Sequence, residues 1–257
     1  MTAGSSIAGN ETQNGISISF VTCISDIAVL GQRLLASPCF SERKLPLTAY
    51  FNASSAAEAF NASSKVCSKA HSDSWLAWVH EDVFLPSNWE DQLSSQISMA
   101  LRRWPKLAVV GVYGGVKSGE HAFSVGHVLD RGSILRPPTQ LPCLVDSLDE
   151  LLFAVRVSTG LTLDPALKFD FYATDLVLQA QENGWDCAVV DAYCEHWSGT
   201  VQTGPAPTQL ARRIKSSAEV FEAKWVHSMP ITTSCFHMKK PGDVAAYIDS
   251  MESAPCG

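Results

Sequence analysis

The chain has 257 residues, 46% hydrophobic and 18% charged, with 7 Trp and 11 Phe; that is enough apolar material for a full core and excludes global disorder. Nineteen Lys and Arg against 26 Asp and Glu leave a net charge of −7. Such a balance argues against a nucleic-acid binder that works by neutralising phosphates and against a basic anchor on an anionic membrane. The length predicts between one and two domains, for which a single α/β domain with an appendage suffices.

Residues 1–15 are polar and small, so a loose leader is expected in place of a secretory signal. The apolar run Ile16 to Leu30 is broken by Asp26, and Leu107 to Val116 has only the length of a buried strand, so no transmembrane span is expected. None of the eight cysteines forms a CxxC pair, which leaves zinc-ribbon and thioredoxin readings without support. Reduced thiols and a cytoplasmic protein follow as the expectation.

Ile16 to Cys23, β-branched and aromatic, predicts a buried first strand, and Thr48 to Phe51 a short second one. FNASS occurs at Phe51 and again at Phe60; the first reads as a strand exit, the second as helix. Ser55 and Glu58 have capping-box spacing, and Ala56, Phe60, Ser63, Cys67 and Ala70 share one helical face. Trp75 to Val79 predicts an apolar strand that runs straight into His80-Glu81-Asp82. Ser87 and Glu90 repeat the capping-box spacing, and Trp89, Leu93, Ile97, Leu101 and Trp104 predict a helix stopped by Pro105. Leu107 to Tyr113 is another buried strand. Val116 to Pro142 is polar without a clear period and predicts a binding loop or flap. A strand-like run follows from Leu148 to Val157. Thr174 is placed as the cap of a helix from Asp175 to Asn183, ended by Gly184. Cys187 to Asp191 is one more strand, and Thr208 to Trp225 a last helix. Strands alternating with helices predict an α/β fold with a mostly parallel sheet flanked by helices, divided as a leader (1–15), a main domain (16–203) and a C-terminal helical extension (204–257).

In parallel α/β sheets, ligands gather beyond the carboxyl ends of the strands, which is where His80-Glu81-Asp82 falls. Adjacent carboxylates repel and lose hydration unless a cation or hydrogen-bond donors offset them, and a hard divalent cation on oxygen ligands is the simplest compensation. A solvated loop after a buried strand is the alternative. His196 follows a predicted strand and is placed to complete a site with Asp82, or to be a surface histidine. Asp175 at a helix N-terminus is held anionic by the macrodipole and suited to take a proton from a hydroxyl; first-turn acids are also common without function. Asp170 is either a second such acid or a turn residue. Among the aromatics near predicted strand ends (Trp78, Trp89, Tyr113, Tyr172, Trp197), Trp197 is the best ring for stacking on a ligand. The sequence has no GxxxxGK[ST], GxGxxG, HExxH or GxSxG.

Four strings in order resemble a known family: WLAWVHEDVFLPSNW, LAVVGVYGG, GHVLDRG with VDSLDELL, and FDFYATDLVLQAQENGW followed by CEHWSG. The set is similar to GT-A-fold glycosyltransferases of the family-2-like type, near the group named after the streptomycin-biosynthesis protein StrF. It runs from about Ile16 to Gly199, more weakly through Phe221 to Pro230. The resemblance implies a GT-A-like sheet and sugar transfer from a nucleotide-diphosphate sugar to an acceptor hydroxyl, with inversion and metal assistance by Mn2+ or Mg2+. It implies Asp82 and His196 as metal ligands, His80 standing where a first aspartate is usual, and Glu81 beside them on the cofactor side. Thr22, Cys23 and Asp26 match the nucleobase region, and Asn61 lies on the helix lining the donor side. Asp175, or Asp170, matches the region of the catalytic base, where many relatives carry an acid at the position of Ala173. The acceptor is a glycan, a lipid-linked glycan, a peptide or a small molecule, and a second copy of the chain is a candidate partner. The alternative is a GT-A-like domain that binds a nucleotide sugar or a partner without turnover. Nucleotidyl transfer ranks lower, since TCISDIAVLGQR has no lysine for a phosphate loop.

Overall fold

The computed structural model describes residues 16–68, 74–118, 121–197 and 208–252. The chain opens with β1 (Ile18–Ile24), α1 (Ile27–Gln32), α2 (Pro38–Ser41), β2 (Leu47–Phe51) and α3 (Ala56–Cys67). Asp26 starts α1 by accepting hydrogen bonds from the backbone N–H groups of Ala28 (2.8 Å) and Val29 (3.3 Å), and Ser55 starts α3 by accepting from Glu58 N (3.1 Å). Each satisfies donors that a helix start leaves orphaned, worth about 1 kcal/mol. Glu58 closes only a shifted box, since its carboxylate accepts from Ser54 N and Oγ.

Next come β3 (Trp75–Val79), β4 (Val83–Phe84), α4 (Trp89–Arg103) and β5 (Leu107–Gly111). The second expected capping box is absent: Asn88, at φ 60°, precedes α4 without a side-chain cap, while Glu90 is buried against Arg43. Much of the stretch expected to be a binding loop or flap, Val116 to Pro142, is folded into strands: β6 (Tyr113–Ser118), β7 (His121–Gly126), β8 (Val128–Asp130) and β9 (Ser133–Leu135). β6 and β7 are half-exposed and β8 and β9 only three residues long, so they lack the apolar runs by which strands are recognised.

Then follow β10 (Cys143–Leu144), β11 (Ser147–Leu148), β12 (Leu152–Arg156), α5 (Tyr172–Glu182), β13 (Asp186–Val189), β14 (Cys194–His196) and α6 (Thr208–Lys224). The chain closes with β15 (Ile231–Thr232), β16 (His237–Met238) and α7 (Asp243–Glu252). α5 begins earlier than expected. Phe171, at φ 63°, precedes it, and Thr174 lies inside the helix.

The central sheet has the order β10-β13-β5-β12-β3-β1-β2. Five of its strands run parallel; β12, inserted between β3 and β5, and the edge strand β10 run antiparallel. The expected mostly parallel α/β sheet is therefore present. Side chains alternate between two cores at the strand period. Phe20, Trp75, Ala77 and Val79 pack with α1, α2 and α4 on one face, and Val21, Leu76 and Trp78 with α3 and α5 on the other. β3 is buried at every residue, as suits a strand covered on both faces. A third cluster joins Leu167 and Phe171 to Phe221, Trp225, Met238 and Ile248, so the C-terminal helices pack onto the start of α5.

Candidate active site

Beyond the carboxyl end of β3 the chain turns through His80, Glu81 and Asp82 into β4. A second small sheet, of order β4-β14-β8-β9, carries the rest of the site. β14 pairs antiparallel with β4, setting His196 opposite Val83, and parallel with β8, setting His196 opposite Asp130. Register alone thus brings residues from three distant segments together. Trp197 N donates to the Asp82 carbonyl (3.0 Å) and locks the turn.

His80, Asp82 and His196 each place one ligand atom within 4.8 Å of the others. His196 Nδ1 bonds Asp130 Oδ1 at 2.9 Å, and its Nε2 lies 3.3 Å from Asp82 Oδ1. The latter oxygen is buried, and no group other than that imidazole is placed to donate to it. A histidine whose Nδ1–H is held by a carboxylate presents its Nε2 lone pair outward, the usual support for a metal-bound imidazole. Two acceptor atoms so close need a shared proton or cation between them. Without a cation the proton is favoured: burial opposes the imidazolium, but the hydrogen bond to Asp130 and the Asp82 carboxylate outweigh it and raise His196 to about 10. Burial and the neighbouring His196 lower His80 to about 4, so His80 is neutral at physiological pH. Its Nε2 lies 2.9 Å from the Tyr172 hydroxyl. That hydroxyl donates to the Glu150 carbonyl at 3.4 Å, so it accepts from Nε2–H and leaves His80 Nδ1 with the lone pair.

A cavity of about 400 Å³ opens beside this cluster. His80, Asp130 and His196 form one wall; Asp149, Glu150, Asp170 and Thr174 form another; and Thr233 to Phe236, between β15 and β16, close the far side. Ser234 Oγ donates to Asp149 Oδ2 at 2.7 Å, tying that turn to the floor. Residues that follow α5 and β14 in the chain, Ile214 and Thr233 to Phe236, are therefore part of the cavity wall.

The other expected site residues have structural partners. Asp175 is fully buried, lies outside the cavity lining, and accepts from Trp225 Nε1 (2.7 Å), Lys224 Nζ (2.7 Å) and Gln179 Nε2 (2.5 Å). As placed, it joins α5 to α6 and has no access to a substrate hydroxyl. Asp170 does line the cavity, but Arg213 holds it by two bonds (2.9 and 3.0 Å) and Ser217 by a third (3.1 Å). Ala173 is fully buried in the core cluster of α5. Glu81 accepts from the backbone N–H groups of Ser25 and Asp26, and from the Ser25 hydroxyl, clamping the loop after β1. Asp26 is occupied as the α1 cap. Asn61 bridges the N–H and C=O of Leu163, both at 2.9 Å. Thr22 is buried, and burial, then Glu58 and Glu81, pushes the Cys23 thiol up to about 12. Trp197 is 38% exposed, with the Arg33 guanidinium 4.3 Å above its ring. Trp78, Trp89 and Tyr172 are core residues.

Asp130, Asp149, Glu150 and the turn from Thr233 to Phe236 are site residues that spacing along the chain does not reveal. Asp130 lies in a polar, aperiodic stretch, and Glu150 is one acid in the string VDSLDELL.

No family model matches the chain. A Fuscovulum blasticum protein named as ORF 6 of the ATP synthase subunits region is 29% identical over 136 residues, covering 49% of this chain and 53% of that protein. The chain thus spans about half the length of this curated relative. Among solved structures, it is similar to a mannosyltransferase from Pyrobaculum calidifontis in complex with GDP-Man and Mn2+ (11% identity, TM-score 0.49, covering 92% of this chain and 70% of that one). It is also similar to residues 1–349 of TarS from S. aureus (8%, TM-score 0.42, 83% and 73%). A third likeness is to the inositol-1-phosphate CTP transferase from T. maritima (13%, TM-score 0.31, 80% and 79%). At these identities and scores, none of the three assigns an activity.

Proposed function

We propose that the chain is a nucleotide-sugar-dependent glycosyltransferase of the GT-A type, of the family-2-like StrF group that its ordered strings resemble. It transfers a sugar to an acceptor hydroxyl with inversion. The observation that carries this reading is the orphaned, buried Asp82 oxygen, ringed by His80 and His196 beyond the carboxyl end of β3. That donor set of two imidazoles and a carboxylate suits a divalent ion such as Mn2+, with Mg2+ the harder alternative. When bound, the ion would offset charge on the leaving nucleoside diphosphate.

The chain's own residues divide the remaining work. Asp130 fixes the His196 ring, and Tyr172 fixes the His80 ring. The loop held by Glu81, with Thr22 and Cys23, forms the nucleobase side. The turn from Thr233 to Phe236 shields the cavity from water, which competes with the acceptor. The acceptor, a glycan, lipid-linked glycan, peptide or small molecule, enters on the side of Asp149, Glu150 and Asp170. Free thiols at each described cysteine fit a reducing, cytoplasmic setting.

A second reading is a domain that binds the donor without turnover. It is favoured by the saturation of Asp175 and by Ala173 in the core. Incubating the protein with nucleotide sugars, Mn2+ and an acceptor library, and measuring nucleoside diphosphate release, separates the two. Release that needs both protein and donor supports transfer. Donor binding without release supports the second reading, and neither binding nor release overturns both.

A further inference from the structure

Resting on that reading, we propose that Glu150 is the general base that takes the proton from the attacking hydroxyl, in place of Asp175 or Asp170. Three carboxylates line the acceptor side of the cavity, and their hydrogen bonds distinguish them. Asp170 is held by Arg213 and Ser217. Asp149 accepts from Leu151 N at 3.1 Å and from Ser234. The Glu150 carboxylate has no hydrogen-bond or ion-pair partner among the described residues, yet it lines the cavity. Its position is set by the sheet. β12 pairs antiparallel with β3, with Leu152 opposite Val79, so the residue just before Leu151 lies beside the exit of β3. His80 N donates to the Leu151 carbonyl at 3.0 Å. The Tyr172 hydroxyl, between His80 Nε2 and the Glu150 carbonyl, ties Glu150 to the ligand cluster.

The environment suits the role. Burial, then the charges of Asp170 and Asp149, push the Glu150 carboxyl well above its ordinary value, against an opposing pull from Arg213. A raised carboxyl is a stronger base than a solvated one. In the transfer, the acceptor oxygen forms a bond to the anomeric carbon while its proton passes to a Glu150 oxygen. The bond from that carbon to the diphosphate oxygen breaks, and its electron pair leaves with the nucleoside diphosphate. Release of the proton to solvent after product departure restores the carboxylate.

The test uses Glu150→Gln, which keeps size and removes the base, and Glu150→Asp, which keeps the carboxyl. Both are compared with wild type in nucleoside diphosphate release from nucleotide sugars with Mn2+, water being the minimal acceptor. Melting midpoints with and without nucleoside diphosphate report folding and donor binding independently of turnover. The expected result is that Glu150→Gln keeps the wild-type midpoint and nucleotide shift but loses kcat by about 10²–10⁴-fold, with Glu150→Asp partly restoring it. A Glu150→Gln protein that turns over within a few-fold of wild type overturns the assignment and leaves the donor reading intact. Equal losses in Glu150→Gln and Glu150→Asp mark a packing role and also overturn it. A wild-type protein that neither binds nor cleaves any nucleotide sugar overturns the functional reading, and the assignment falls with it.

Discussion

Asp82, half-buried with one oxygen out of reach of water, and Asp175, fully buried, both lie close to a sheet or helix terminus, and both look equally functional in sequence. Their surroundings differ in one respect. Asp175 has three donors at 2.5–2.7 Å, from a Trp, a Lys and a Gln, so its lone pairs are satisfied within the protein. Asp82 has a buried oxygen with no donor and two imidazoles facing it. Burying a carboxylate is costly in either case. At Asp175 the protein itself offsets that cost. At Asp82 it is offset only by a proton on His196 or by something the protein binds. Comparing hydrogen-bond satisfaction therefore separates the structural acid from the site acid, where charge alone does not.

The sharpest way to break this comparison is to remove each acid from the apo protein. Asp175→Ala leaves Lys224 short of a partner and Trp225 Nε1 buried without an acceptor, and should cost about 3–5 kcal/mol, lowering the melting midpoint by roughly 10 °C. A shift under a few degrees would show that the α5–α6 network is dispensable and would return Asp175 to the list of candidate bases. Asp82→Ala removes one of the two carboxylates beside His196, whose imidazole keeps Asp130 and can release its proton, so denaturant titration should show a loss of only about 1–2 kcal/mol in the apo protein, smaller than that of Asp175→Ala. A loss as large as that of Asp175→Ala would mean that Asp82 is a structural acid too.

The smallest effect concerns the border of the Asp175 network. Lys224 Nζ also bonds Asp164 at 2.8 Å. Burial opposes the Asp164 carboxylate, but the Lys224 bond, the Ala166 N–H and the Lys224 charge together outweigh it and hold the carboxyl below its ordinary 3.8. Because the folded value is depressed, the contribution is present above the unfolded value of 3.8 and is lost as pH falls through the folded value. Midpoints measured against pH should then fall less steeply below that point in Asp164→Asn than in wild type. The difference is about 0.5 kcal/mol, since the pair is partly solvated. Parallel acid arms would contradict it.

How far the sequence reveals this molecule depends on where its signals are local. β3, α3 and α4 follow from apolar runs and period, because each buries a stripe written in consecutive residues, with capping a true guide only at α3; α6 follows from a run that carries both signs of charge. β6 to β9 do not, since each strand is partly exposed and stabilised by partners that the local pattern cannot name. The sequence sets the start of α5 too late, because Phe171 takes a left-handed conformation without a side-chain cap and the polar Thr174 resembles a boundary. The site divides the same way. His80, Asp82 and His196 could be read as ligand-type residues beyond strand ends. Asp130 reaches His196 only through the β8–β14 register, and Glu150 reaches the cavity only because β12 is inserted antiparallel between β3 and β5. Asp175 was legible as a first-turn acid, but α6 covers it from more than thirty residues further along the chain, which no local pattern announces.

The central claim is that the Asp82 cluster holds a cation that helps bind a nucleoside diphosphate. The most direct measurement is the melting midpoint of wild type and Asp82→Ala against a panel of nucleoside diphosphates, with Mn2+ and with chelator. A ligand that binds only the folded state raises the midpoint, by about 2.7 kcal/mol of stability at a hundredfold excess over its Kd. The account predicts a rise in wild type that needs both Mn2+ and nucleotide and is absent in Asp82→Ala. A rise that persists in Asp82→Ala, or no rise in wild type with any nucleotide, would contradict it.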